Sequence, residues 1–476
     1  MKKSFIFMGL VLALALAVII FLWPGPETVG PCIVTGDVLN NISLADLPKN
    51  YYVKIPGGGR GIPLVKLLEA AQPLSSEYSL LLMGDSLFAQ FKGEELGGCY
   101  IVKIDGGWST VAKQHPPGAE INNLRRIVIA DETADLALGV NVITQTENLL
   151  HITPGNMFRR QLLCYPYIQR ESEHKDGYAF SLFEQKQVLP LSSITDEEID
   201  AVLVMGKNGE YERFDGAGYL ELCNNEINYL QPGNKTAIRN IAGAIINPPA
   251  LSVMDAHTDS LYYLNKDERV MVILIEGLGY SQYEIAREKG LVPNLTSVGT
   301  AIRVNTVYKP VANAALAAIV TGQPPVINGI FDCSSQQPKI KTIFDWLEEE
   351  QKTHVLVEGS TSVLTLNTKT KYSADLYKDG NTDDDVFGNA LNQIQKQPDY
   401  LLVHFHGVNA AGHEFGPLDA RTMEVLEKVD AYVGLLLKEW TGKVIVVAGH
   451  GMQAANSAEE CGNFSYEEMF VPYIID

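Results

Sequence analysis

The sequence predicts an α/β protein. Its C-terminal half should carry a mostly parallel sheet covered on both faces, preceded by one or two smaller α+β or β-rich domains and an N-terminal transmembrane helix. Three observations carry this expectation. From about residue 255 onward, apolar runs such as VMVILIEG (270–277), HVLVEG (354–359), YLLVHFHG (400–407) and KVIVVAGHG (443–451) alternate with helix-like stretches such as IKTIFDWLEEEQ and TMEVLEKVDAYVGLLLKEW. Strands apolar on both faces, with helices between them, belong to parallel sheets. Residues 30 to about 135 instead break into short β-type runs around one helical segment, and residues 5–23 carry no charge at all. The expected division is 1–29, 30–135, 136–250 and 251–476.

The N-terminal run from Phe5 to Trp23 follows Lys2 and Lys3 and ends at Pro24-Gly25-Pro26. Its nineteen residues, at about 1.5 Å each, span roughly 28 Å, the thickness of a bilayer's hydrocarbon core. Bulky residues from Ile19 to Trp23 stand where a signal peptidase needs small ones, so an uncleaved signal-anchor is expected. The two lysines then place the body outside the cytoplasm. The expected location is a membrane-anchored, extracytoplasmic one, with the membrane as a partner and a further protein or small-molecule partner left unnamed.

A formal charge of −20 excludes nucleic acid as a partner, because nothing would offset phosphate repulsion. The six cysteines lack CxxC or CxxCH spacing, which excludes a zinc ribbon, a haem attachment and a thioredoxin-like motif. An exported location permits disulfides, but the sequence does not choose among pairings.

In the first domain CIVTGDV, YYVKI, YSLLLMG, CYIVKI and RRIVIA read as strands, and Ile62–Ala71 has apolar residues at helical spacing. The Gly-rich segment Pro56–Gly61 lacks the Lys-Ser/Thr of a phosphate loop and reads as a turn. Gly61-Ile62-Pro63-Leu64, Leu67-Leu68, Gly84-Asp85, Gly107-Trp108 and the closing RRIVIAD (125–131) resemble the oxidoreductase molybdopterin-binding domain of sulfite-oxidase-like proteins. That resemblance implies a cysteine ligand to molybdenum. Cys32 lies ahead of the strands and Cys99 opens one, so molybdopterin is not expected. A second, degenerate copy is expected at 136–250: PLSS (73–76), LLLMG (80–84) and FKG (91–93) recur as PLSS (190–193), VLVMG (202–206) and FDG (214–216).

Two motif skeletons occupy the C-terminal half. VMVILIEGLGY (270–280) leads to KPVANAALAAIVTGQPPVINGI (309–330), and YLLVHFHGVNAAGHEFGP (400–417) leads to VIVVAGHGM (444–452). Both lie at the carboxyl ends of strands, where parallel sheets gather their ligands. Their spacing resembles the alkaline phosphatase superfamily, especially its phosphodiesterase and phosphomutase-like branches, and implies an alkaline-phosphatase-like three-layer domain. Such enzymes use two divalent metals and a Ser/Thr nucleophile.

Position by position, the reactive groups are altered. The family's Asp-Gly is Glu276-Gly277, and its nucleophile falls on Ala312 or Asn313, depending on one residue of gap. Neither side chain forms an alkoxide. The family's Asp-x-x-x-His-x-x-Gly-Pro reads Asn409 to Pro417, keeping His413 but losing the acid. Its Asp-His-Gly-Met reads Gly449-His450-Gly451-Met452, again keeping only the histidine. Counting back from Met469–Pro472 puts Cys461 at the last ligand position.

Two lost aspartates leave the charge of two divalent ions uncompensated, at several kcal/mol per ion. The expectation is therefore no metal, or a single zinc held by His413, His450 and Cys461 with Glu276 or His406. His404 and His406 alternate along one strand and face the same side. The leading reading is a membrane-anchored, extracytoplasmic pseudoenzyme, a catalytically impaired scaffold or binding module. The alternative is a metal-dependent phosphoester or sulfoester hydrolase with a rearranged, mononuclear site. A molybdenum oxidoreductase is set aside for want of its ligand cysteine.

Overall fold

The computed structural model describes residues 31–476 except 94–95, 117–118, 132–138, 147–148, 161, 174, 176, 178, 234–236, 376–381 and 454–461. The expected membrane anchor and Cys461 therefore lie outside the described residues. Among the described residues no helix is long and apolar enough to cross a membrane. Two compact units make up the chain: Met1–Leu138 with Thr153–Gln161, and Gly139–Ile152 with Leu162–Asp476. The expected copy at 136–250 and the phosphatase-like part thus fall largely within one unit.

In the first unit, the strands Ile42–Ser43, Ile33–Gly36, Arg126–Asp131, Tyr78–Met83 and Phe88–Lys92 form one sheet in that order. Ile33–Gly36 and Arg126–Asp131 run parallel, and every other neighbouring pair is antiparallel. A second, antiparallel sheet joins Val53–Lys54, Arg60–Pro63, Tyr100–Ile104 and Gly107–Val111. The helix Leu64–Ala71 buries Leu64, Leu67, Leu68 and Ala71, the face its spacing predicts.

The second unit begins with a sheet of the same plan. Leu149–Ile152, Val140–Ile143, Ile241–Ile246, Ala201–Gly206 and Tyr211–Asp215 follow one another with the same single parallel pair. An antiparallel sheet built on Ala179–Pro190, Tyr219–Cys223 and Glu226–Leu230 accompanies it. This shared topology supports a duplication, and it corrects one pairing read from the sequence. Pro63 faces Tyr100 and Pro190 faces Tyr219. The following leucines, Leu64 and Leu191, each donate a backbone N–H at 3.0 Å, to the carbonyls of Cys99 and Gly218. Pro190-Leu191 therefore corresponds to Pro63-Leu64, not to Pro73-Leu74. The match of LLLMG and FKG to VLVMG and FDG stands in the ladder, where Leu80 pairs with Phe91 and Val202 with Phe214.

The remainder is a sheet ordered, among the described residues, Ile302–Asn305, Phe470–Ile475, Lys443–Val447, Val270–Ile275, Tyr400–Phe405, His354–Glu358 and Thr370–Tyr372. From Lys443–Val447 to Thr370–Tyr372 all neighbours are parallel, and the two strands at the other edge run antiparallel. Every residue of Val270–Ile275 and of Tyr400–Phe405 is buried. Helices such as Ala312–Thr321 and Ala420–Glu439 supply the apolar faces that enclose them. That is the mostly parallel, covered sheet the apolar runs predict, and it aligns five carboxyl ends, of which the four from Lys443–Val447 to His354–Glu358 lie side by side.

Candidate functional site

Those four strand ends carry the candidate site. Glu276 follows Val270–Ile275, His404 and His406 flank the end of Tyr400–Phe405, Glu358 closes His354–Glu358, and His450 lies three residues past Lys443–Val447. Glu276, Glu358 and His404 are each 0% exposed, and His450 is 4% exposed. Ionisable groups so deep must be paired.

His404 does the pairing. Its Nε2 lies 2.9 Å from Glu276 Oε2 and its Nδ1 lies 3.3 Å from Glu358 Oε1. Burial alone would neutralise this imidazole, but hydrogen bonds and charge from both carboxylates outweigh it and lift its pKa to about 9. Burial likewise opposes ionisation of Glu276, yet the His404 bond and the charges of His450 and His404 hold its carboxyl at about 2. The result is a buried Glu–imidazolium–Glu chain. His450 Nε2 lies 3.2 Å from Glu276 Oε1 but is not aligned as a hydrogen bond, so Oε1 has no hydrogen-bond partner among the described residues.

His406 stacks on His404, ring centroids 3.8 Å apart and tilted by 38°. Burial and the His404 charge push its pKa down to about 3, so it is neutral. Its backbone N–H and that of Gly407 each donate at 2.9 Å to the Asp383 carboxylate, which caps the helix Gly407–Phe415. His406 Nε2 and Glu358 Oε2 are both buried without a hydrogen-bond partner among the described residues. The donor atoms of Glu358, His404 and His406 all lie within 4.8 Å of one another.

The other positions singled out in the sequence fare differently. Ala312 opens the helix Ala312–Thr321, and Asn313 spends its amide on the carbonyls of Ser335 at 3.1 Å and Val363 at 3.0 Å. Asn313 is thereby a structural residue. Asn409 packs against Gly277, whose φ of +79° keeps it a glycine: a Cβ there would lie 2.7 Å from Asn409 Cα. His413 stands in the last turn of its helix, where partial burial and the nearby His450 lower its pKa. The structure gathers Glu276, His450 and His406 around His404, which the sequence placed only on the face shared with His406, and adds Glu358, which the sequence reading passed over. One signal could have revealed Glu358: HVLVEG ends in Glu-Gly, as VILIEG does.

A Cβ built on Gly449 would lie 2.4 Å from Glu276 Oε1. The Glu276 carboxylate occupies the room a side chain at 449 would need. The residues present do not fit a dinuclear centre, since Asn409 and Gly449 bring no charge and Glu276 Oε2 is engaged by His404. In the first unit Cys32 and Cys99 are buried, and burial pushes the Cys32 thiol up to about 12.

A family model for type I phosphodiesterase / nucleotide pyrophosphatase matches residues 366–466. The C-terminal part is thus phosphodiesterase-like. No curated protein matches the chain. Phosphonoacetate hydrolase from Sinorhizobium meliloti is similar at 17% identity and a TM-score of 0.34, over 40% of this chain and 59% of that one. Murine ectonucleotide pyrophosphatase/phosphodiesterase 5 follows at 16% and 0.33, over 39% and 58%. An alkaline phosphatase superfamily protein from Vibrio parahaemolyticus gives 14% and 0.32, over 44% and 60%. The chain spans under two thirds of each of these proteins. The molybdopterin-type resemblance of the N-terminal half finds no support among them.

Proposed function

We propose that the C-terminal domain is a phosphodiesterase-like fold that no longer transfers phosphoryl groups and serves as a binding or scaffold module, held outside the cytoplasm by the N-terminal anchor. The exchange at Glu276 and Gly449 carries this reading. One long carboxylate occupies the place of two short ones, and it is hydrogen-bonded to His404, with His450 Nε2 3.2 Å away, rather than left for metal ions. The nucleophile position supports it as well, because neither Ala312 nor the amide-bound Asn313 can attack phosphorus.

The test is turnover by the purified full-length protein on bis(p-nitrophenyl) phosphate, p-nitrophenyl phosphate and p-nitrophenyl sulfate, with zinc or manganese supplied. No release above the protein-free rate is expected. Turnover that disappears in His413→Ala or His450→Ala would establish the hydrolase reading instead.

A further inference from the structure

We propose that Glu358, His404 and His406 form a single divalent transition-metal site, displaced from the positions where the superfamily holds its ions. The inference goes beyond the proposed function, because it stands whether or not the domain hydrolyses an ester. Two imidazoles and one carboxylate are a donor set that suits zinc.

Three observations converge on these residues. First, His406 Nε2 and Glu358 Oε2 are buried polar atoms without a hydrogen-bond partner among the described residues. Such atoms carry a desolvation cost unless something binds them. Second, the three donors already lie within 4.8 Å of one another. Ligands about 2.0–2.2 Å from a tetrahedral ion sit roughly 3.4 Å apart, so the set contracts by about an ångström on binding.

Third, the supporting hydrogen bond is in place. Glu276 Oε2, 2.9 Å from His404 Nε2, fixes a proton on that nitrogen and turns Nδ1 toward Glu358. A metal-bound histidine characteristically gives its other N–H to a carboxylate in this way. Glu276 is accordingly a positioning residue and not a ligand. On binding, the ion displaces the proton from Nδ1 to solvent, and the charge between the two carboxylates rises by one. His413 and His450 lie outside the set, which separates this site from the zinc arrangement read from the sequence.

The test is metal titration of the full-length protein after dialysis against a chelator, with zinc for stoichiometry and cobalt(II) as the spectroscopic probe. One equivalent is expected, with a visible absorption band of tetrahedral intensity and X-ray absorption fine structure showing two imidazoles and oxygen. His406→Ala and Glu358→Gln should lower occupancy to below about a tenth, while His413→Ala leaves it at one equivalent. Glu276→Gln should weaken binding roughly 10- to 100-fold without removing a ligand from the absorption fine structure. Circular dichroism on each variant separates ligand loss from unfolding. If the variants unfold, the fine structure of the wild-type protein decides alone: sulfur or a single imidazole in the shell overturns the assignment. Zero equivalents, two equivalents, or one equivalent that survives in folded His406→Ala also overturns it.

Discussion

At the scale of single residues, Glu276 and Gly449 behave as one unit. A carboxylate added at 449 meets Glu276 Oε1 within a fully buried pocket, because the Cβ position is already 2.4 Å from that oxygen. Gly449→Asp should therefore destabilise by about 3–5 kcal/mol, the range for an uncompensated buried charge. Shortening the partner opens that room. In the double variant Glu276→Asp/Gly449→Asp the loss should be smaller than the sum of the single losses by about 1–3 kcal/mol. Urea denaturation of the four proteins measures this, and strict additivity would show that the two positions do not share space. The two histidines flanking Phe405 make a related point. Alternation in a strand put His404 and His406 on one face, but the carboxylates of the two neighbouring strands, Glu276 and Glu358, gave His404 its partners.

At the scale of elements, two buried carboxylates hold helix ends and loops near the site. Asp383 accepts the N–H groups of His406 and Gly407 at 2.9 Å each, while burial raises its own pKa to about 6. Asp383→Ala leaves both donors of the helix start buried and unbonded, and should cost about 1–3 kcal/mol in thermal or urea unfolding. Glu468, on the short helix Tyr466–Met469, accepts from Gly462 N at 3.1 Å and Asn463 N at 2.8 Å. Burial raises its pKa from 4.5 to about 7 despite those bonds. The native state then binds its proton more tightly than the unfolded chain does. Stability contributed by the protonated carboxyl is complete below about pH 4.5 and declines as pH rises toward 7, by up to about 1.4 kcal/mol per pH unit. Glu468→Gln should flatten that decline, which a series of unfolding curves between pH 4.5 and 8 would reveal.

At the scale of the whole molecule, the chain does not complete its first unit before starting its second. Thr153–Gln161 belongs with the first unit although Gly139–Ile152 belongs with the second. Asp37 is the clasp of the returning segment: it accepts from Asp131 N at 2.8 Å, Thr153 Oγ1 at 2.9 Å and Gly155 N at 2.8 Å. Gly155 must be a glycine there, since a Cβ would lie 2.3 Å from the Ile129 carbonyl oxygen and 2.5 Å from Asp37 Oδ2. Asp37→Ala should lower the stability of the first unit by about 1–3 kcal/mol for each donor left without an acceptor. Hydrogen exchange resolved by segment should show faster exchange in Arg126–Asp131 and Pro154–Arg159 while Val270–Ile275 is unchanged. Loss of protection spread evenly over the chain would argue against the clasp.

The parallel sheet, its covering helices and the strand ends bearing Glu276, His404, His406 and His450 were legible in the sequence, because burial on both faces writes itself as continuous apolar runs. The shared plan of the two smaller sheets left a trace in repeated strings, though not in its register, since Pro-Leu recurs in both Pro63-Leu64 and Pro73-Leu74. What the glutamates do was decided only by the tertiary structure. Glu276 and Glu358 stand 82 positions apart in the chain, and a side chain's partner across a sheet depends on strand order, which no local pattern records. The same holds for the space at Gly449: a missing side chain is visible in a sequence, but what has moved into its volume is set by packing.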